Sequence, residues 1–177
     1  MTSNTKIDLK TEQEKAKKYL KEMGTRVLVC AGTGCVANGS MEVYKRFQEL
    51  GVSASFTPEK MFTPVKTGCH GFCEQGVLVV IPDKHVTYVK VKPDDVDEIV
   101  NKHLLNNEIV ERLLYVDPHT NKSVPKNDDI NFYSKQTRTS LCNCGKINPE
   151  EIDETIAQRG YEALQSIITT KTPEEVC

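Results

Sequence analysis

Four cysteines between residues 30 and 73 constrain this sequence more than any other feature. Cys30 and Cys35 occur in VCAGTGCVANGS, and Cys69 and Cys73 occur in KTGCHGFCEQG, so the cysteines form two closely spaced pairs. Each pair follows an apolar or β-prone run and lies among glycines, which let a loop fold tightly and direct its backbone N–H groups inward. Four thiolates on two such loops predict an iron–sulfur cluster or a zinc ion.

The spacing within each pair favours the iron–sulfur cluster. Structural zinc sites usually take two cysteines separated by two residues, because one tight turn then brings both sulfurs to a single small ion. Here four residues separate Cys30 from Cys35, and three separate Cys69 from Cys73. The wider spacing suits a [2Fe–2S] cluster in which each pair binds a different iron, with backbone N–H groups stabilising its negative charge. Zinc, and cysteines that are simply buried or disulfide-bonded, stand as the alternatives.

The same residues resemble the thioredoxin-like [2Fe–2S] ferredoxins. The segments VLVCAGTGCVANGS and TGCHGFCEQGVLVVIP are similar to the cysteine-bearing segments of that family, and the resemblance covers about residues 25–105. Such domains occur alone, as the small cluster subunit of respiratory NADH dehydrogenase, and at the N-terminus of hydrogenase and dehydrogenase flavoprotein subunits. The resemblance implies a thioredoxin-like α/β fold and one-electron transfer, with Cys30, Cys35, Cys69 and Cys73 as the ligands of a [2Fe–2S] cluster.

Hydrophobic patterning predicts alternating helices and strands over the first hundred residues. Helices are predicted at Lys10–Met23, Ser40–Gly51 and from Pro93, and strands at Arg26–Val29, Val52–Thr57, Phe62–Thr67, Val77–Ile81 and His85–Val91. This order fits a four- or five-stranded mixed sheet with flanking helices. We therefore expect residues 1–107 to form the thioredoxin-like [2Fe–2S] ferredoxin domain.

The character of the sequence changes after Asn107. The stretch DPHTNKSVPKNDDIN is polar and rich in turn residues, which predicts an extended connector, and helical patterning returns from Asn148. The segment RTSLCNCGKINPEEIDETIAQRGYEAL resembles the N-terminal lead-in of the NADH-binding flavoprotein subunit of NADH dehydrogenase and of NAD-linked [FeFe]-hydrogenases. By that resemblance, residues 108–177 are a connector and lead-in, and FMN, NAD and [4Fe–4S] sites belong to a downstream flavoprotein domain absent from this chain.

Together, the two resemblances point to the β subunit of an NAD-dependent [FeFe]-hydrogenase, of the kind that can bifurcate electrons. The expected partners are other subunits of a hydrogenase or NADH dehydrogenase complex, and the chain alone is expected to contain no complete catalytic site. A stand-alone thioredoxin-like ferredoxin is the main alternative, followed by a thiol–disulfide redox enzyme and a zinc-held interaction module. We also expect residues 1–107 to hold the cluster without residues 108–177, whose amides should exchange rapidly.

Composition excludes several other classes of protein. The 177 residues carry a net charge of −2, with 14 Lys and Arg against 9 Asp and Glu in residues 1–92, and 9 against 16 in residues 93–177. No basic stripe with interleaved aromatic residues occurs, which argues against nucleic-acid binding. The longest strongly apolar run is VLVVI at 77–81, too short to insert into a membrane. A polar N-terminus and cysteines at metal-binding spacing predict a cytoplasmic protein.

The remaining candidate residues receive simpler interpretations. Cys142 and Cys144 are two positions apart, a spacing that rarely closes a disulfide without strain, and they are expected to be structural or incidental cysteines. Cys177 is expected to be a bystander thiol. His70 is expected to be an exposed loop residue rather than a Rieske-type ligand. Phe72 is expected to shield the cluster from water, and His103 to be a half-buried packing residue.

Overall fold

The computed structural model describes residues 8–53 and 60–177, which divide into two compact units. The larger unit contains residues 23–148, and the smaller contains residues 8–22 together with residues 149–177. Within the described ranges, none of the helices combines the length and the apolar character that crossing a membrane would require.

A four-stranded mixed sheet forms the centre of the larger unit. Its strands are β1 (Thr25–Cys30), β2 (Phe62–Thr67), β3 (Val79–Ile81) and β4 (Val86–Tyr88), in the order β2-β1-β3-β4. Strand β1 pairs parallel with β2 and antiparallel with β3, and β3 pairs antiparallel with β4. The predicted four- or five-stranded mixed sheet is therefore confirmed with four strands among the described residues.

One face of this sheet is covered by helices. After β1 come α2 (Thr33–Ala37) and α3 (Ser40–Ser53), and the helical segment Pro93–Leu104 runs from a 3₁₀ turn through α4 (Val96–Glu98) into the π-helical turn Ile99–Leu104. Alternate residues of a strand point to opposite faces, so Val27 and Val29 of β1 share one face while Leu28 takes the other. The main core lies on the first of these faces, and its fully buried members include Val27, Val29, Val43, Phe47, Val79, Ile81, Tyr88, Val96 and Ile99.

Residues 110–134 pack against the sheet and do not form the extended connector that the sequence predicts. Val110, Leu113 and Leu114 are buried members of the main core. The N–H of Val89 donates to the carbonyl of Leu113 (2.8 Å), and the N–H of Thr87 donates to the carbonyl of Pro125 (2.9 Å). The segment thus covers the outer edge of β4 and itself contains a small hairpin, β5 (Tyr115–Val116) with β6 (Ser123–Val124), and the short helix α5 (Asn131–Ser134).

Most predicted elements of the larger unit occur, with shifted ends. The strand predicted at Val52–Thr57 does not begin there, because Val52 and Ser53 belong to α3 and residues 54–57 lie outside the described residues. The strand predicted at His85–Val91 is limited to β4, since Lys90 adopts a positive φ of 52° and its N–H donates to the carbonyl of Gln75.

The smaller unit is helical. It contains α1 (Leu9–Glu22), close to the predicted helix Lys10–Met23, and α6 (Ile152–Ala157), α7 (Glu162–Thr170) and α8 (Pro173–Val176), which lie where helical patterning returns after Asn148. The side-chain amide of Gln13 donates to a carboxylate oxygen of Glu162 (2.9 Å), which ties α1 to α7. Few apolar side chains are buried here: Ala16 and Ala157 are buried, whereas Ile152, Leu164 and Ile168 are exposed.

Candidate metal centre

The two parallel strands β1 and β2 bring the cysteine pairs together. Cys30 is the last residue of β1 and lies opposite Thr67, the last residue of β2. The N–H of Ala31 donates to the carbonyl of Thr67 (2.9 Å), so the loops that follow the two strands begin side by side. The first loop carries Cys35 in α2, and the second carries Cys69 and Cys73. The four predicted ligands therefore lie together at the edge of the sheet where β1 and β2 end.

The four thiols lie close to one another but differ in exposure. The sulfurs of Cys69 and Cys73 are 3.6 Å apart, and both residues are exposed. Cys30 and Cys35 are each 1% exposed. Cys35 donates a hydrogen bond that lowers the pKa of Cys30 to about 6, and the same bond raises the pKa of Cys35. Cys30 also has the thiol of Cys69 as a neighbour, which links the first pair to the second.

Backbone N–H groups point at these sulfurs. The N–H of Gly71 donates to the sulfur of Cys69 (3.3 Å). N–H groups of Gly32 and His70 act on Cys30 and favour its charged form, and the N–H of Leu78 does the same for Cys35. Such donors stabilise negative charge on sulfur, so the loops are built to hold thiolates.

Two glycines leave no room for a side chain beside the sulfurs. A methyl group at Gly32 would lie 2.8 Å from Cβ of Cys69, and one at Gly76 would lie 2.7 Å from the sulfur of Cys35. The backbone of each cysteine loop therefore lies directly against a cysteine side chain of the other loop. Only glycine permits so close an approach at these two positions.

The cysteines are arranged as pairs rather than as one tetrahedral site. Among residues 8–53 and 60–177, no three His, Cys, Asp or Glu side chains converge closely enough to hold a single metal ion. All seven cysteines are free thiols. The two pairs, Cys30 with Cys35 and Cys69 with Cys73, are the arrangement expected of a two-iron cluster in which each pair serves one iron.

His70 differs from its predicted role. The sequence predicts an exposed loop residue, but the side chain is 5% exposed, so this prediction is wrong. Its Nε2 lies 3.3 Å from the hydroxyl of Thr67, and Gly145 packs so closely on the ring that a methyl group there would lie 2.5 Å from Nδ1. Burial lowers the pKa of His70 to about 4. The ring of His70 is therefore buried, with Nε2 in hydrogen-bonding distance of Thr67 and Gly145 packed closely against it.

An aromatic cluster and one arginine border the second cysteine loop. Phe72 is buried and stacks on Phe132, with ring centroids 4.7 Å apart, and it meets Tyr115 and Tyr133 edge to face. The guanidinium of Arg138 lies 5.1 Å from the ring centroid of Tyr133 and donates to the carbonyl of His70. Sequence reasoning missed these neighbours, because residues more than 40 positions away carry no periodic signal that ties them to the loop.

The other cysteines and His103 lie outside the set of four. Cys142 and Cys177 are exposed, and Cys144 is partly buried beside Gly68. His103 is 2% exposed, more than the half-burial predicted from the sequence, and its Nδ1 lies 2.7 Å from the hydroxyl of Tyr88.

Comparisons with known proteins identify the class. The family model described as thioredoxin-like [2Fe-2S] ferredoxin matches residues 17–104. A protein named "Ferredoxin, 2Fe-2S" from Aquifex aeolicus is 44% identical over 82 residues, which cover 45% of this chain and 71% of the relative. The solved structure of a thioredoxin-like [2Fe-2S] ferredoxin from Aquifex aeolicus is 37% identical, covers 51% of this chain and 88% of that chain, and has a TM-score of 0.47. The chain belongs to the thioredoxin-like [2Fe–2S] ferredoxins.

Membership of this family establishes the fold, the cofactor and the general activity. The chain has the thioredoxin-like fold, carries a [2Fe–2S] cluster and takes part in electron transfer. The residues present fit that cluster, because four thiols converge at one sheet edge, receive backbone N–H groups and face glycines that leave space beside the sulfurs. A further match is 55% identical over 42 residues to the "NADP-reducing hydrogenase subunit HndC" of Solidesulfovibrio fructosivorans, covering 24% of this chain and 8% of that protein.

Proposed function

We propose that Cys30, Cys35, Cys69 and Cys73 bind the [2Fe–2S] cluster and that the chain relays electrons within a hydrogenase or NADH dehydrogenase complex. The observation that carries the ligand assignment is the convergence of these four thiols where β1 and β2 end side by side. When bound there, a [2Fe–2S] cluster supplies one-electron transfer without proton transfer or bond cleavage. No catalytic side chain is therefore assigned.

The protein groups around the site have separate roles in this proposal. The buried pair, Cys30 and Cys35, anchors the site in the fold, and the exposed pair, Cys69 and Cys73, faces the surface. The N–H groups of Gly71, Gly32 and His70 offset negative charge on the sulfurs. A site that is buried on one side and exposed on the other is shielded from solvent yet accessible to an electron-transfer partner.

Serine substitutions test the ligand assignment. We expect C30S, C35S, C69S and C73S each to lose iron and acid-labile sulfide, because a serine hydroxyl is a far weaker iron ligand than a thiolate. The matched controls C142S and C144S should retain the iron and sulfide content of the unaltered chain. The measurement is iron and sulfide per chain after anaerobic purification, together with the visible absorption spectrum. If C142S loses as much iron as C35S, the assignment is wrong.

The hydrogenase context is the more specific part of the proposal. Its support is the segment similar to HndC, together with the flavoprotein lead-in that residues 138–164 resemble. Affinity purification of the full chain from its native cells tests it. We expect a flavoprotein with NADH- or NADPH-dependent acceptor reduction and a hydrogenase subunit to co-purify in fixed ratio with the chain. A chain that purifies alone with its cluster intact would instead favour a stand-alone ferredoxin.

A further inference from the structure

Arg138 places a positively charged guanidinium against the second cysteine loop. It donates a hydrogen bond to the carbonyl of His70, the residue directly after Cys69. A methyl group built on Gly71 would lie 3.2 Å from its Nη2, so the guanidinium rests against the backbone of two consecutive loop residues. Arg138 lies outside residues 17–104, where the family model matches, so this contact is an addition to the ferredoxin domain.

The side chain of Arg138 is held in this position by its surroundings. Its guanidinium carbon lies 5.1 Å from the ring centroid of Tyr133, in cation–π geometry, and Tyr133 packs edge to face on Phe72 in the same loop. A planar guanidinium fixed by a ring on one side and a carbonyl on the other has little freedom to turn away. The positive charge is therefore part of the structure around the loop rather than a mobile surface charge.

A fixed positive charge beside an iron–sulfur site changes its reduction potential. Reduction adds one negative charge, so a nearby cation stabilises the reduced state more than the oxidised state and raises the potential. The charged residues nearest in sequence to the exposed pair are Lys66 and Glu74, which flank it on either side and have opposite sign. Arg138 therefore adds a positive charge to the opposite charges of Lys66, in β2, and Glu74.

We propose that Arg138 is a positioning and tuning residue that clamps the Cys69–Cys73 loop and raises the reduction potential of the site. This inference rests on the proposed function, in that it requires the cluster to be bound by the two cysteine loops. It assigns to residues 130–138 a role in electron transfer, because this segment supplies both the arginine and the aromatic rings that hold it.

The test is a redox titration of the full chain carrying Arg138→Met, Arg138→Gln or Arg138→Lys. We expect Met and Gln to lower the potential by a similar amount, equivalent to about tenfold in the one-electron equilibrium constant, or about 59 mV. Arg138→Lys keeps the positive charge, so its reduction potential should stay close to that of the unaltered chain. Lys135→Met is the matched control, since it removes an exposed positive charge three residues away and should leave the potential within a quarter of that shift.

Each outcome bears on the inference. A wild-type potential in Arg138→Gln would show that the hydrogen bond and not the charge matters, and would overturn the tuning role. Equal shifts of the reduction potential in Arg138→Met and Lys135→Met would show that only the net charge of the protein matters. That result would also overturn the tuning role of Arg138. Cluster loss in all three Arg138 variants would make the residue a folding element only. Failure of the proposed function would appear differently, as a missing cluster in the unaltered chain.

Discussion

At the scale of single residues, Gly32 sets how closely the two cysteine loops approach. It precedes α2, and a methyl group at this position would lie 2.8 Å from Cβ and 3.2 Å from Cα of Cys69. The second of these atoms belongs to the backbone, which cannot move aside as a flexible side chain can. Gly34, two residues later, has ordinary contacts of 3.6 and 3.8 Å to Cys73.

These distances predict opposite outcomes for two alanine substitutions in one loop. Gly32→Ala should separate the loops, destabilise the protein by about 1–3 kcal/mol and lower its iron content. Gly34→Ala should keep the iron and raise stability by up to about 1 kcal/mol, because alanine favours the helix in which Gly34 lies. Urea unfolding and iron analysis of both variants measure the difference. Iron loss in Gly34→Ala with none in Gly32→Ala would contradict the loop geometry.

Whether the site could be predicted differs from residue to residue. Cys30, Cys35, Cys69 and Cys73 could be singled out because spacing and neighbouring glycines are local information. The burial of His70 could not, since Gly145 and Arg138 cover it from more than 65 positions away in the chain. Nothing in the spacing of those two residues relates them to the loop they cover.

At the scale of elements, β4 depends on residues beyond the family match. The N–H groups of Thr87 and of Val89, just after β4, donate to carbonyls of Pro125 and Leu113, and Tyr88 forms an isolated bridge with Leu114. The hydroxyl of Tyr88 also accepts a hydrogen bond from the N–H of Val110 (3.1 Å). An uncovered edge strand exposes a row of unpaired backbone groups, so residues 110–125 complete the sheet.

Regular strands and helices were easier to predict than the segment 110–134, which packs beside β4. Strands β1 and β2 and helix α3 carry apolar residues at the regular spacing of their structure, and their predicted positions are confirmed. Leu113, Ile130 and Phe132 are spaced without a period, and their partners lie on distant strands and loops. Their packing is therefore invisible to pattern analysis, and a polar, turn-rich stretch was expected to be a connector.

Truncation tests the contribution of the segment. The domain boundary at Asn107 stays a prediction, but the contacts of residues 110–133 favour a later boundary, near Asn148. We expect residues 23–148 alone to fold and retain the cluster. Residues 23–107 alone should be destabilised by several kcal/mol, because burying Val110, Leu113 and Leu114 stabilises by about 1.5–3 kcal/mol for each side chain. The iron content and the midpoints of urea unfolding of the two fragments distinguish the two boundaries. Equal midpoints would favour the boundary at Asn107.

At the scale of the whole molecule, the two compact units differ in what holds them together. The larger unit has a continuous apolar core on one sheet face and a second cluster around Cys30, Cys35 and Phe72. The smaller unit buries Ala16 and Ala157 with the polar Gln13 and Glu154. Small alanine side chains contribute little apolar area, so the smaller unit should open at a much lower free energy than the larger.

Hydrogen exchange should therefore reveal two cooperative units in the full chain. We expect amides of α1, α6 and α7 to exchange together and well before those of β1 and β2. Removing residues 149–177 should abolish protection in α1, since a lone 14-residue helix is marginally stable in water and loses its hydrogen bond from Gln13 to Glu162. Protection in β1 should not change in that variant, because β1 is held by its own sheet and core. Mass spectrometry of peptides from the full and shortened chains measures both. Loss of protection in β1 together with α1 would mean that the chain unfolds as one unit, and unchanged protection in α1 would mean that the helix does not depend on its partner helices.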